Sequence, residues 1–141
     1  MKDCITTSIF EIFKTGPGPS SSHTIGPMKA ALDFREAIRT LNSPPDSTKA
    51  VIDVYLYGSL SLTGEGHGTP KAVLGGLLGW TPEASDCNQL LALLDSNNTG
   101  FERYELPFDK GAISFSAENI HFEGTDPLLT YQNTLRFKLA D

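Results

Sequence analysis

The hydrophobic residues of this 141-residue chain follow two periodicities, and the change from one to the other constrains the fold. In the first half apolar residues recur at helical spacing, and the longest such run is 24–41. After the Asn-Asn-Thr-Gly turn, three segments alternate between apolar and polar residues as strands do: 101–107, 112–116 and 134–139. Helices first and strands mostly later predict an α+β fold, a mixed or antiparallel sheet with helices packed against it.

The remaining expected elements are shorter. Residues 15–22 contain two glycines and two prolines and cannot continue a helix. Residues 49–57 carry the β-branched and aromatic types that strands favour. The length fits a single domain over residues 1–141. Further helices are expected at 8–14, 70–78 and 86–94, and the aromatic residues expected in the core are Phe34, Tyr55, Tyr57, Trp80, Phe101 and Phe115.

Charge and hydropathy argue against several classes of partner. With a net charge of −6 and no cluster of lysines and arginines, we expect neither nucleic acid nor an anionic membrane surface as a partner. No apolar run reaches the roughly 18–20 residues of a membrane-spanning helix, and the N-terminus lacks a secretory pattern, so a cytoplasmic location is expected. The two cysteines, Cys4 and Cys87, are expected to be reduced thiols and cannot supply the four thiolates of a zinc or iron–sulfur site.

Two segments carry groups that can do chemistry, and the first is 16–28 (GPGPSSSHTIGPM), which leads into the expected helix. Backbone N–H groups at a helix N-terminus suit a carboxylate or phosphate, and His23 adds a group of the type that titrates near neutrality. In the alternative interpretation, Ser22 or Thr24 only caps the helix and His23 is a partly exposed neighbour. The hydroxyl groups of this segment belong to Ser20, Ser21, Ser22 and Thr24.

The second segment, 57–69 (YGSLSLTGEGHGT), follows the predicted strand. Glycines on both sides of His67 leave its imidazole uncrowded, and a catalytic base must come within about 3 Å of the proton that it removes. Glu65 either influences His67 or is turned away from it. The alternative interpretation is a glycine-rich surface turn with a solvated histidine.

In this order, with a strand between them, the two segments resemble the N-terminal β domain of iron–sulfur-dependent L-serine dehydratases (L-serine ammonia-lyases). The match is specific up to about Gly79 and weaker in 107–120 and 134–141. Members of that family deaminate L-serine to pyruvate and ammonia without pyridoxal phosphate, a step of amino-acid degradation and gluconeogenesis. Their β domain is related in fold to the allosteric substrate-binding domain of some phosphoglycerate dehydrogenases.

The resemblance implies roles for particular residues. A 4Fe-4S cluster, held by a separate α domain, assists departure of the hydroxyl group, which leaves poorly unless a metal takes up its charge. His67 matches the proposed base of the family, and His23 matches a second active-site histidine that orients substrate or relays protons. The residues that match candidates for binding the substrate carboxylate are Ser20, Ser21, Ser22 and Thr24.

The same resemblance implies partners. The chain is expected to be one domain or one subunit that works with the α domain on L-serine. Independently of the resemblance, a homo-oligomer is expected because strand edges and a partner-facing surface need covering. By itself the chain is expected to hold no iron, to have no metal site and to be inactive as a dehydratase.

One stretch departs from the family pattern, which has a further histidine in Leu-Pro-x-His-x-Asn-Gly-Met. Alignment on Asn119 puts that position at Glu123, while His121 lies two residues earlier. A change of register brings His121 into the site or leaves it merely nearby, so His121 is a third candidate.

Three other functions compete with the dehydratase. A stand-alone regulatory domain would bind serine or another carboxylate through residues 20–24 and would need no partner. A zinc hydrolase built on His23, His67 and His121 lacks the short histidine spacing of zinc proteases. A Ser–His–Asp hydrolase lacks the Gly-x-Ser-x-Gly elbow, and adjacent side chains such as Ser22 and His23 seldom face each other productively.

Overall fold

The structure is a computed structural model that describes residues 8, 15–43, 45–94, 103–108 and 111–140. The helices in these ranges are α1 (Gly26–Arg39), α2 (Ser59–Thr63), α3 (Thr69–Leu77) and α4 (Cys87–Ala92). The strands are β1 (Val51–Tyr57), β2 (Tyr104–Phe108), β3 (Gly111–Phe115), β4 (Ile120–Gly124) and β5 (Leu135–Ala140). A π-helical segment, Ser21–Ile25, runs directly into α1, and a 3₁₀ turn, Ala117–Asn119, precedes β4.

Strand β1 is the centre of a mixed sheet with the order β4-β1-β5, in which β4 is parallel to β1 and β5 is antiparallel. Its residues Ile52, Val54 and Leu56 are at most 1% exposed and belong to the hydrophobic core. Strands β2 and β3 form a separate antiparallel pair, whose buried side chains join the same core. The predicted α+β fold with a mixed sheet is confirmed, and the relation to a phosphoglycerate dehydrogenase domain stays a prediction.

Helix α3 lies inside the protein. Its sequence, TPKAVLGGL, is apolar on nearly every side, as is typical of a buried helix, and every residue except Lys71 is buried. It packs against α1, where Gly76 meets Met28 and Ala31. Because α1 follows the segment that holds His23 and α3 follows His67, this packing sets where the two histidines lie. None of the described helices is long and apolar enough to cross a lipid bilayer.

Several predicted elements have different ends or a different type. The helix expected at 24–41 begins with the π-helical segment at Ser21 and ends at Arg39, so Leu41 is 45% exposed. The alternative interpretation of the second segment as a glycine-rich turn does not hold for its start, because Ser59–Thr63 form α2. Strand β4 is not predicted, since its burial pattern does not alternate and Phe122 within it is 46% exposed.

The aromatic residues assigned to the core divide into three groups. Phe115 and Tyr57 are buried, and Phe34 and Trp80 pack against the core partly buried. Tyr55 is a correction: it points away from the core because it alternates with Val54 and Leu56 along β1. Phe101, Cys4 and the helix predicted at 8–14, apart from Ser8, lie outside the described residues.

Candidate active site

His23 and His67 lie side by side. The centroids of their rings are 4.9 Å apart, and the ring planes are inclined by 38°. His23 belongs to the π-helical segment before α1, and His67 lies in the turn before α3. Both residues are partly buried. The structure therefore brings together the two histidines that the sequence singles out.

Hydroxyl oxygens lie at both nitrogens of the His23 ring. Nδ1 is 2.9 Å from Ser22 Oγ and 3.4 Å from Ser20 Oγ. Nε2 is 3.1 Å from Ser59 Oγ and 3.3 Å from Thr63 Oγ1. Although adjacent side chains seldom face each other, the Ser22 hydroxyl and the His23 ring are within hydrogen-bond distance here. This pair is still no hydrolase triad, since hydroxyl groups and not a carboxylate orient the imidazole.

The His67 ring is held by the end of α2. Its Nδ1 lies 2.7 Å from the carbonyl oxygen of Thr63, which also accepts the backbone N–H of His67 at 3.2 Å. Ser59, Thr63 and His67 follow one another at intervals of four residues, so they lie along one side of α2 and the turn that extends it. One short helix thus supplies partners to both histidines.

Two buried threonines join the segments that carry the histidines. The Thr24 hydroxyl donates to the carbonyl oxygen of Ser20 at 2.5 Å, and the Thr69 hydroxyl donates to the carbonyl oxygen of His23 at 2.7 Å. Thr24 is 2% exposed and Thr69 is 0% exposed. The hydroxyl hydrogen of Thr24 is therefore used inside the fold, which favours a structural role, and its contact with a substrate stays a prediction.

The expectation that Ser22 or Thr24 caps a helix is also wrong. The residue before the π-helical segment is Ser20, and its side chain makes no capping hydrogen bond. The helical turns begin earlier than the composition indicates, because the main-chain N–H groups of His23 and Thr24 both donate to the carbonyl oxygen of Ser20, at 3.3 and 2.9 Å.

A cleft of about 340 Å³ opens beside His67, which is within the size range of small-molecule sites. Its charged lining residues are Glu65 and Lys71, and the Lys71 Nζ donates to the carbonyl oxygen of Leu91 at 2.5 Å. The thiol of Cys87, a free cysteine, lies at the same cleft. The remaining lining residues are Pro17, Gly18, Pro19, Thr24, Gly66, Gly68, Leu90 and Leu91.

The donor set of a metal site does not assemble in the part of the chain that the structure describes. No three side chains of His, Cys, Asp or Glu in those ranges come close enough to share an ion. An iron–sulfur cluster needs cysteine thiolates, and the sequence has only Cys4 and Cys87. The residues of this chain therefore do not fit a 4Fe-4S cluster.

His121 has partners of its own on the outer face of the sheet. Its Nε2 lies 3.0 Å from Asp53 Oδ1, and its ring stacks on Tyr55 with centroids 4.8 Å apart. The pairing of β4 with β1 puts His121 opposite Tyr55, on the face turned away from the core. In the described structure it contacts Asp53 and Tyr55 and neither of the other histidines, and its site role stays a prediction.

We expect the hydrogen-bonded pair of Asp53 and His121 to contribute at most about 1 kcal/mol to stability, because both side chains are partly exposed and water screens such a pair. The side chains are 23% and 38% exposed. A double-mutant cycle with Asp53→Asn and His121→Gln, measured by urea unfolding, gives the coupling energy. A coupling above about 2 kcal/mol would show that the pair is shielded from solvent.

The residues that hold the histidines are not singled out by the sequence. Ser59, Thr63 and His67 are each four residues apart. This spacing would have placed them on one helical face if α2 had been predicted. Thr69 follows a glycine at a helix start, and no sequence signal points to it. The same holds for Asn133, whose Oδ1 accepts the hydroxyl hydrogen of Ser59 at 2.6 Å.

The sequence profile of the serine dehydratase beta chain family matches residues 8–141. L-serine dehydratase 2 of Escherichia coli (strain K12) is 42% identical over an alignment of 121 residues that covers 80% of this chain and 26% of that protein. An L-serine dehydratase of Streptomyces coelicolor is 53% identical over 79 residues, 56% of this chain and 17% of that protein.

An L-serine dehydratase of Helicobacter pylori (strain J99) is 37% identical over an alignment of 139 residues that covers 93% of this chain and 28% of that protein. The chain spans less than a third of the length of each of these relatives. With the profile matching nearly its whole length, the chain belongs to the serine dehydratase beta chain family.

Proposed function

We propose that this chain is the β domain of an L-serine dehydratase, a cytoplasmic enzyme that converts L-serine to pyruvate and ammonia. The observation that carries the proposal is the His23–His67 pair, of which His67 lines the cleft, in a chain of the serine dehydratase beta chain family. The chain supplies these histidines to a site that it shares with another part of the enzyme.

The hydrogen bond of His67 to Thr63 determines which ring nitrogen can act as a base. A carbonyl oxygen can only accept, so Nδ1 of His67 carries the hydrogen of its bond to Thr63. In the neutral ring Nε2 is then unprotonated, and it is the atom that accepts a proton. We assign to Nε2 the removal of the Cα proton of L-serine.

The proposed reaction has three steps. Loss of the Cα proton and of the β-hydroxyl group, which leaves as water, gives aminoacrylate. Aminoacrylate rearranges to the imine, and addition of water to the imine releases pyruvate and ammonia. In this scheme His23 orients the substrate or relays a proton, and the serine hydroxyls next to it bind the substrate carboxylate. Those hydroxyls belong to Ser20, Ser21 and Ser22.

A 4Fe-4S cluster would supply the Lewis acid that a departing hydroxyl group requires. Because the residues of this chain do not fit such a cluster, we assign it to a separate α domain of the enzyme. The proposal needs no pyridoxal phosphate. The proposed partners are thus L-serine, the α domain and further copies of the enzyme.

A second function is a regulatory domain that binds serine or another carboxylate. It is favoured by the cleft itself, which this chain forms without a partner and which exposes the opposite charges of Glu65 and Lys71. These charges match those of an amino-acid zwitterion.

Pyruvate formation from L-serine distinguishes the two functions. We expect no activity from this chain, none from the cluster-loaded α domain of the same enzyme, and activity from their mixture under anaerobic conditions. D-serine serves as the control substrate. An inactive mixture, together with calorimetric binding of L-serine by this chain, would make the dehydratase assignment wrong and the regulatory one right.

A further inference from the structure

We propose that Asn133 is a positioning residue for His23: acting through Ser59, it determines which ring nitrogen of His23 carries the hydrogen. Only the consequence for catalysis rests on the proposed function. The position of the hydrogen is a property of this chain and can be measured without any activity.

The orientation of the Asn133 amide follows from its partners. Its Oδ1 lies 2.9 Å from the backbone nitrogen of Ser59 and 2.6 Å from Ser59 Oγ. A backbone N–H only donates, so the side-chain atom that faces it must be the amide oxygen and not the amide nitrogen. The amide oxygen only accepts, and the hydroxyl hydrogen of Ser59 therefore points to Asn133.

The ring of His23 must then donate from Nε2. Ser59 Oγ, 3.1 Å away, has given its one hydrogen to Asn133 and offers His23 only lone pairs. Thr63 Oγ1, 3.3 Å from the same nitrogen, donates to the carbonyl oxygen of Ser59 at 2.9 Å and likewise can only accept from His23. Both oxygens thus share the hydrogen on Nε2.

The lone pair of neutral His23 consequently lies on Nδ1, which accepts from the Ser22 hydroxyl at 2.9 Å. His23 and His67 have opposite tautomers, since His67 carries its hydrogen on Nδ1. Without Asn133, the Ser59 hydroxyl is free to turn and donate to Nε2 of His23, which allows the hydrogen to move to Nδ1.

The backbone next to Asn133 packs against the end of β1. The N–H of Tyr57 donates to the carbonyl oxygen of Thr134 at 3.0 Å. Gly58 has a φ of 60°, and a Cβ there would collide with the carbonyl group of Gln132. This close approach needs glycine at position 58, and it brings Asn133 to the first residue of α2.

The test is ¹⁵N NMR of the histidine-labelled chain, at a pH where the rings are neutral. We expect His23 to show the Nε2–H tautomer in the wild type and in Asn133→Asp, which keeps the acceptor. Asn133→Leu, similar in size, shifts His23 toward Nδ1–H. The neighbouring exposed side chain gives the matched control, Gln132→Ala, and His67 is an internal reference that stays Nδ1–H.

An Nδ1–H tautomer of His23 in the wild type, or a tautomer that Asn133→Leu leaves unchanged, would overturn the inference. Ser59→Ala provides a second variant: it removes the hydroxyl that could donate to Nε2 and leaves Thr63 Oγ1 as an acceptor, so His23 is expected to keep the Nε2–H tautomer. In the complete dehydratase we expect Asn133→Leu to lower kcat by about 10- to 100-fold, as loss of an orienting partner does, with a smaller change in KM.

The two proposals fail in different ways. A tautomer that responds to Asn133→Leu while dehydratase activity stays unchanged supports the positioning of His23 and removes His23 from the proposed mechanism. A tautomer that does not respond overturns the positioning role, whatever the activity.

Discussion

Replacing His67 with asparagine is expected to lower kcat/KM for L-serine by about 10²- to 10⁴-fold in the complete dehydratase, the usual contribution of a positioned acid or base. Asparagine cannot take up a proton at the place of Nε2. Because the proton is transferred only in the transition state, kcat and kcat/KM should fall together while substrate binding changes little. Anaerobic pyruvate formation under single-turnover and steady-state conditions measures both.

His121→Asn is the matched variant, since it makes the same substitution at a histidine that contacts Asp53 and Tyr55. We expect it to keep nearly full activity. Full activity in His67→Asn would remove His67 from the role of base. Loss of activity in His121→Asn would show that His121 takes part in the site, despite its position on the outer face of the sheet.

The histidines of the site are predictable from the sequence because their surroundings are unusual: glycines flank His67 and serines precede His23. Their partners are not predictable to the same degree. The glycines near His67 predict a turn and hide the helical interval that joins Ser59, Thr63 and His67. A local pattern therefore identified the two histidines that lie together but not the helix that orients them.

Asn133 lies beyond local reasoning altogether. It is 74 residues from Ser59 in the sequence, and the two meet only because β5 returns antiparallel to β1. The pairing of β4 with β1 is likewise long-range. Local patterns predict the α+β class and leave open whether the sheet is mixed or antiparallel, since strand direction depends on contacts between distant segments.

The close packing of α1 on α3 has a large expected effect on stability. Changing Gly76 to alanine is expected to lower the free energy of unfolding by about 3 kcal/mol or more. A methyl group there would collide with the carbonyl oxygen of Met28 and lie 2.7 Å from Ala31 Cβ. Neither atom can yield unless the two helices separate. The gain of about 1 kcal/mol in helix propensity from glycine to alanine does not offset this collision.

Gly75→Ala is the control in the same helix, because the added methyl group meets mainly the end of the flexible Leu90 side chain, 2.8 Å from its Cδ1. It gains the same propensity and can be accommodated by a rotation of that side chain. Urea unfolding monitored by circular dichroism compares the two variants. Equal stabilities would mean that the helices tolerate a wider spacing.

The same pair of variants connects packing to the site. Moving α1 away from α3 changes the position of His23 relative to His67, and it strains the hydrogen bond from Thr69 to the carbonyl oxygen of His23. The Gly76→Ala variant is assayed at urea concentrations well below its unfolding midpoint, so that it is folded. It is therefore expected to lose dehydratase activity as well as stability, whereas Gly75→Ala keeps both. Full activity of folded Gly76→Ala would show that the histidine pair is positioned by its local hydrogen bonds and not by the packing of the helices.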